Sequence, residues 1–176
     1  KVKLPPEDGG GEATVLAWLW ARTVRSPNPA WGGPMPLVRS FALSTKKGRE
    51  TWVQPVVDRG RRRIRFEIRT GPGCPEGTVG RTAAVCLATG TPVPLSYVRA
   101  EGKAGRMGAQ LMAIVADGPQ GRIYLPPDPE HEHIATSTTP PDDLPLATMP
   151  TNPRWFSPPG FGLLGFADLF TPRQLL

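Results

Sequence analysis

Arg63-Ile64-Arg65-Phe66-Glu67-Ile68-Arg69 is the stretch that decides the fold. Ile64, Phe66 and Ile68 fall on one side of an extended chain, and Arg63, Arg65, Glu67 and Arg69 on the other. That period is the one of a strand buried on one face only. Upstream, Asp58-Arg59-Gly60 and Lys46-Lys47-Gly48 read as turns. They separate this run from two further strand-like runs, Thr51 to Val57 and Leu37 to Ser44. The three make an antiparallel meander, apolar inside and basic outside.

The same reading extends along the chain. Ala13 to Val24 is almost continuously apolar, with the length of a buried strand or a short helix; Thr14, Val15, Thr23 and Val24 favour the strand. Ser26 to Pro36 is a fixed loop of Pro and Gly, and Gly71 to Gly80 is another loop. Thr82 to Leu87 and Val93 to Arg99 flank Ala88-Thr89-Gly90-Thr91 and are expected to pair. Gly102 to Gly108 reads as a flexible hinge. Ala109 to Ala116 and Gly121 to Leu125 form a hairpin around Asp117-Gly118. Asp128, followed by Pro129, has the chemistry of a helix N-cap for one or two turns ending near Ala135. Thr136 to Pro153 reads as linker, and Asp168 to Leu176 as the start of a helix. The expected organisation is a loose segment 1–12, a β-rich domain 13–135 and a Pro-rich extended tail 136–176. The fold class is mainly β with minor α.

Composition agrees. Pro and Gly, 23 and 20 of 176 residues, make about a quarter of the chain, which excludes a helical bundle or coiled coil. Two Cys exclude a disulfide framework. No apolar run approaches the ~20 residues of a membrane span and no signal peptide is visible, so a cytoplasmic protein with no membrane partner is expected.

Charge is uneven. Nine basic and three acidic residues lie between Lys46 and Arg69, whereas Pro126 onward holds two basic and six acidic residues. A basic body with an acidic tail suits a polyanionic partner such as nucleic acid, or a tail that folds back on the body. The expected contacts are Lys46, Lys47, Arg61, Arg63, Arg65 and Arg69, with Lys103 and Arg106 on the Gly-rich hinge as secondary ones. All are contacts to phosphate, because such side chains position a duplex without reading it. The plainer alternative is a solvated strand face.

Motifs of catalysis are missing from the sequence: it holds no GxSxG, Walker loop, HExxH or strand-linked GxGxxG. His131 and His133 stand two apart, about 200° around a helix, so they cannot share a metal there and read as a solvated helix start. Cys74 and Cys86 read as free thiols. Ser26 to Gly32 and Cys86 to Gly90 stand where two zinc knuckles would, each ending in Gly, yet Cys86 is the one good zinc ligand among them.

Five segments carry a resemblance: AWLWARTVRSPNP (17–29), MPLVRSFALSTKKG (35–48), the long run from Glu76 to Gly118, GRIYLPPDPEHEHIA (121–135) and FADLFTPRQL (166–175). In this order they resemble the central region of the zinc-ribbon-containing, adenine-specific DNA methylase family. The resemblance implies Cys at the positions of Ser26, Trp31, Cys86 and Thr89, and so a degenerate ribbon whose zinc is lost. It also implies methyl transfer from S-adenosylmethionine to adenine, with a role in phage defence. The Gly-rich cofactor loop and the Asp-Pro-Pro-Tyr motif belong to other regions of that family. Here Pro140-Pro141-Asp142-Asp143 has a different order, so no catalytic residue and no cofactor are expected in this chain. The chain then binds DNA or docks on the catalytic domain or other defence proteins. The alternative is a metal-free β protein-interaction module.

Overall fold

The computed structural model describes residues 1–119, 121–142, 144, 147–152 and 157–175. Its backbone is the long strand β2 (Glu12–Arg25), paired antiparallel with β9 (Gly108–Gly118). Around that pair a five-stranded sheet runs in the order β1 (Val2–Lys3), β2, β9, β10 (Gly121–Leu125), with β3 (Pro34–Leu37) also on β2. A second sheet is the expected meander: β4 (Ala42–Ser44), β5 (Thr51–Asp58) and β6 (Arg63–Thr70). A two-stranded ribbon joins β7 (Ala83–Val85) to β8 (Pro92–Pro94), and the helices are α1 (Leu95–Lys103) and α2 (Pro129–Ser137). The chain is mainly β and antiparallel, as its patterning implies. No helix among the described residues is long and apolar enough to cross a membrane.

The prolines fit because they avoid ladder positions that need an N–H. Pro34 and Pro36 lie on the short strand β3, and Pro92 and Pro94 in a two-stranded ribbon. Pro55 lies in β5 beyond the stretch that β4 covers.

Two bulges set which side chains meet. In β2 the register slips at Leu16, and in β9 Met112 is the extra residue opposite Leu19 and Trp20. A bulge places neighbouring residues on one face instead of two. Met112 and Ala113 therefore both join the larger core, with Trp31, Phe41, Val53, Ile64, Phe66, Cys86, Val93 and Val98. Leu111, Ile114 and Ala116 join a smaller core with Val2, Leu4, Ala13 and Leu125. Burial of each large apolar side chain contributes about 1.5–3 kcal/mol. The alternation read in β6 is real: Ile64 and Phe66 are buried, Ile68 packs on the same core, and Arg63, Arg65 and Arg69 are exposed.

Several expectations are corrected. Leu37 to Ser44 is not one strand: β3 ends at Leu37 and β4 begins at Ala42, because Val38 and Phe41 turn into the core and Val38 N–H bonds the Thr78 hydroxyl. Val93 to Arg99 is not a strand beyond Pro94. Leu95 begins α1, whose inward positions Val98, Glu101 and Gly102 are spaced three or four apart. The hinge Gly102 to Gly108 starts inside that helix. Asp128 caps α2 by accepting from Glu130 N–H, and the helix continues to Ser137. In the supposed linker Met149 is buried and Thr148 bridges Gly165; Asp143 and Pro153, at the end of that linker, lie outside the described residues.

Gly102 is where the C-terminal segment docks. The helix end meets the backbone of Phe161 and Gly162 so closely that a Cβ on Gly102 would strike the Phe161 carbonyl, and one on Gly162 would strike Gly102. Arg99 lies over the Phe161 ring, 5.3 Å from its centroid. Gly102→Ala is expected to cost about 1–3 kcal/mol through overpacking and to loosen residues 157–175 from α1. Gly160→Ala, which meets no neighbour, should be nearly silent. Thermal denaturation with limited proteolysis of both variants checks this; equal stability would contradict the close approach.

Candidate nucleic-acid interface

Arg63, Arg65 and Arg69 project from the solvent face of β6, about 20 Å from first to last at ~3.4 Å per residue. The β5–β6 turn is held by Asp58, whose carboxylate accepts from Arg61 N–H. That carboxylate also lies 3.9 Å from the Arg61 guanidinium and 4.0 Å from that of Arg63, and Arg69 pairs with Glu67 at 2.7 Å. Arg65 has no ion pair among the described residues. The row is less positive than a count of arginines suggests, yet exposed pairs hold by only about 0–1 kcal/mol and yield readily to a phosphate.

The strand's end runs into an open groove. Thr70 and Gly71 line it together with Lys46, Arg49, Arg122 and Tyr124, around a volume of about 860 Å³. A second hollow of about 470 Å³ shares Arg49 and Arg122 with it. The Tyr124 hydroxyl donates to the Leu43 carbonyl, fastening β10 to the meander and fixing this groove's wall. The structure thus brings Lys46 beside Arg49 and Arg122. Arg49 belongs to the basic segment read from the sequence, whereas Arg122 does not stand out there and reaches the meander through the pairing of β10 with β9.

The hinge cations sit elsewhere. Lys103 ends α1, which packs on β2, β8 and the 3-10 turn Pro158–Phe161. Arg106 is committed to Glu101, with two hydrogen bonds of 3.0 and 2.6 Å. That guanidinium holds the Glu101 carboxyl below the usual carboxylate range. The pair closes the helix's C-terminal end.

The two knuckle-like stretches fold alike and face each other. The Asn28 carbonyl accepts from Trp31 and Gly32 N–H, and the Cys86 carbonyl accepts from Thr89 and Gly90 N–H. Gly32 and Gly90 both take positive φ, 59° and 68°, where Gly is favoured. Asn28 donates its amide to the Thr91 hydroxyl at 3.0 Å and so ties one turn to the other. By this hydrogen-bond pattern Asn28, rather than Ser26, is the counterpart of Cys86. The Ser26 and Thr89 hydroxyls lie near the Cys86 thiol. Burial pushes that thiol up, but these hydroxyls and the Ala88 and Thr89 backbone more than offset it and bring it below the ordinary cysteine value. Trp31 turns away, donating its indole N–H to the Pro34 carbonyl, and fills the core at 2 % exposure. Arg59 donates to the Ala88 carbonyl at 2.9 Å, so the meander's turn is braced on the second knuckle-like turn.

His131 and Glu132 are not a solvated helix start. Glu132 accepts from Leu111 N–H at 2.9 Å, beside the β9 bulge, and His131 accepts from the Trp18 indole at 3.1 Å. No group of three or more His, Cys, Asp or Glu fit for a metal occurs among the described residues. Comparison with protein-family models, with curated proteins and with solved structures gave no match.

Ser26 and Thr89 both lie near Cys86, which makes a specific expectation. Ser26→Cys with Thr89→Cys should create a three-thiolate site that takes Co²⁺ with a thiolate charge-transfer band, leaving Trp31 in the core. Adding Trp31→Cys removes a large buried side chain and should cost about 3–5 kcal/mol before metal binds. Wild type should show no such band and less than one zinc per chain by elemental analysis. No band in the double variant would contradict the placement of the three positions.

Proposed function

We propose that this chain is a non-catalytic, zinc-ribbon-like segment of an adenine-specific, S-adenosylmethionine-dependent DNA methylase, acting in the cytoplasm, and that it holds the DNA backbone. The observation that carries the DNA contact is the row Arg63, Arg65 and Arg69 leading to the groove of Lys46, Arg49 and Arg122. A strand of DNA presents one phosphate per ~3.4 Å, so a 20 Å row faces about six charges. Side chains on a rigid β-strand meet them at fixed intervals. Support for the ribbon comes from the two turns at 28–32 and 86–90, which share one hydrogen-bond plan, and from the Ser26 and Thr89 hydroxyls that lie near Cys86. Cofactor and catalytic groups are then supplied by the methyltransferase domain on which this segment docks.

A second reading, a metal-free protein-interaction module, is favoured by one observation: Leu164, Phe166, Leu169 and Phe170 are exposed apolar residues close together in the C-terminal segment. Binding of unrelated duplexes separates the two. Arg63→Glu with Arg65→Glu should weaken binding alike for any sequence. It should also lower the slope of log K against log salt by roughly two units, one for each phosphate no longer neutralised. Arg49→Glu with Arg122→Glu should do the same, and Lys103→Glu should change little. Equal binding by wild type and both double variants at low salt would leave the interaction-module reading standing alone.

A further inference from the structure

A different part of the molecule carries aromatic rather than basic chemistry. After the bulge at Leu16, Trp18 and Trp20 follow Ala13 and Val15 on the smaller-core side of β2. The helix α2 and the 3-10 turn Pro172–Leu175 stand over that end of the strand and leave a cavity of about 340 Å³ between them. This is the lower end of the range for small-ligand sites, about 300–1,000 Å³. Trp18 is 43 % exposed although it is a large aromatic, and Ile134 of α2, equally exposed, lines the cavity with it.

The polar groups of the cavity are pre-set. The Trp18 indole donates to His131 Nδ1, so the neutral imidazole carries its proton on Nε2 and offers that N–H as a donor. Gln174 spends its amide oxygen on the Thr171 N–H and hydroxyl, at 2.9 and 3.1 Å, which leaves the amide's N–H donors for a ligand. Arg173 adds a cation to the cavity's lining. Two indoles, two fixed donors and the cations Lys1 and Arg173 match a planar heterocycle with in-plane acceptors, attached to a phosphate. The volume fits one nucleotide and excludes a duplex.

We infer that this cavity receives a single unstacked nucleobase of a DNA strand, stacked on Trp18 and Trp20, with its phosphate at Arg173. This rests on the DNA-binding reading above, because a free mononucleotide has the same chemistry and the experiment must tell the two apart. Stacking on aromatic side chains is tolerant of sequence and strong enough to move affinity by about tenfold, so the site selects an unpaired base rather than a particular one.

The test uses the full chain and three probes: a random duplex, the same duplex with one unpaired adenine, and dAMP. Fluorescence anisotropy should show the unpaired-base duplex bound about tenfold more tightly than the paired one. Trp18→Ala should abolish that advantage while leaving paired-duplex binding intact, and Gln174→Ala, at the edge of the fold, should reduce it. Arg63→Glu with Arg65→Glu should weaken both duplexes and keep the ratio between them. Equal affinity of wild type for both duplexes overturns the base site and leaves the DNA-binding reading in place. If neither duplex binds at low salt, both fall; saturable dAMP binding that disappears in Trp18→Ala would then assign the cavity to free nucleotides.

Discussion

Residues 14–23 of β2 run antiparallel to 108–117 of β9, and both cores are built from this one ladder. Its two faces are served by different partners. One side supports Trp31, Cys86, the meander and α1; the other supports the N-terminal strand, α2 and the aromatic cavity. A perfectly regular ladder would alternate its side chains without a break. The slips at Leu16 and Met112 break that alternation, so that Trp18 and Trp20 gather over α2 while Met112 and Ala113 both fill the larger core. The Glu132 carboxylate takes up the Leu111 N–H beside the β9 bulge and anchors α2 in the same stroke.

The paired turns at 28–32 and 86–90 are joined by hydrogen bonding and packing. Cys86 is buried beside them at 1 % exposure, and the Asn28–Thr91 bond crosses from one turn to the other. The indole of Trp31 fills the core next to them. Because Arg59 reaches the Ala88 carbonyl, the arginine row on β6 is fixed to these turns rather than left on a free hairpin. The basic surface is thus braced by the body of the fold.

Much of this is legible in the sequence, for physical reasons that differ by element. The alternation in β6 survives because one face meets the core and the other meets water, and no neighbour overrides that pattern. The β9–β10 hairpin is legible from its two apolar runs, although Asp117 and Gly118 lie within β9 opposite Arg122 and Gly121 rather than in the turn, and the Asp128 cap is legible because local chemistry decides it. Leu95 to Arg99 reads wrongly as strand because its apolar positions are few, and packing against β2, β8 and the turn Pro158–Phe161 favours helix. Gly102 reads as flexibility, yet its lack of a Cβ serves a close contact. Arg106 reads as a phosphate ligand, but Glu101 lies within the same five residues and claims it. Arg49 is counted in the basic segment but its groove is not foreseen, and Arg122 and the Trp18–His131 pair have no local signal at all, since long-range pairing brings them into place.

The proposed path of nucleic acid runs along β6 and into the groove at its end. Amide chemical-shift mapping of the full chain during titration with a random duplex tests this residue by residue. The expected shifts cluster at 63–70, 46–49 and 121–124 and fade as salt is added. Shifts confined to α1 and residues 161–170, or none at low salt, would contradict it.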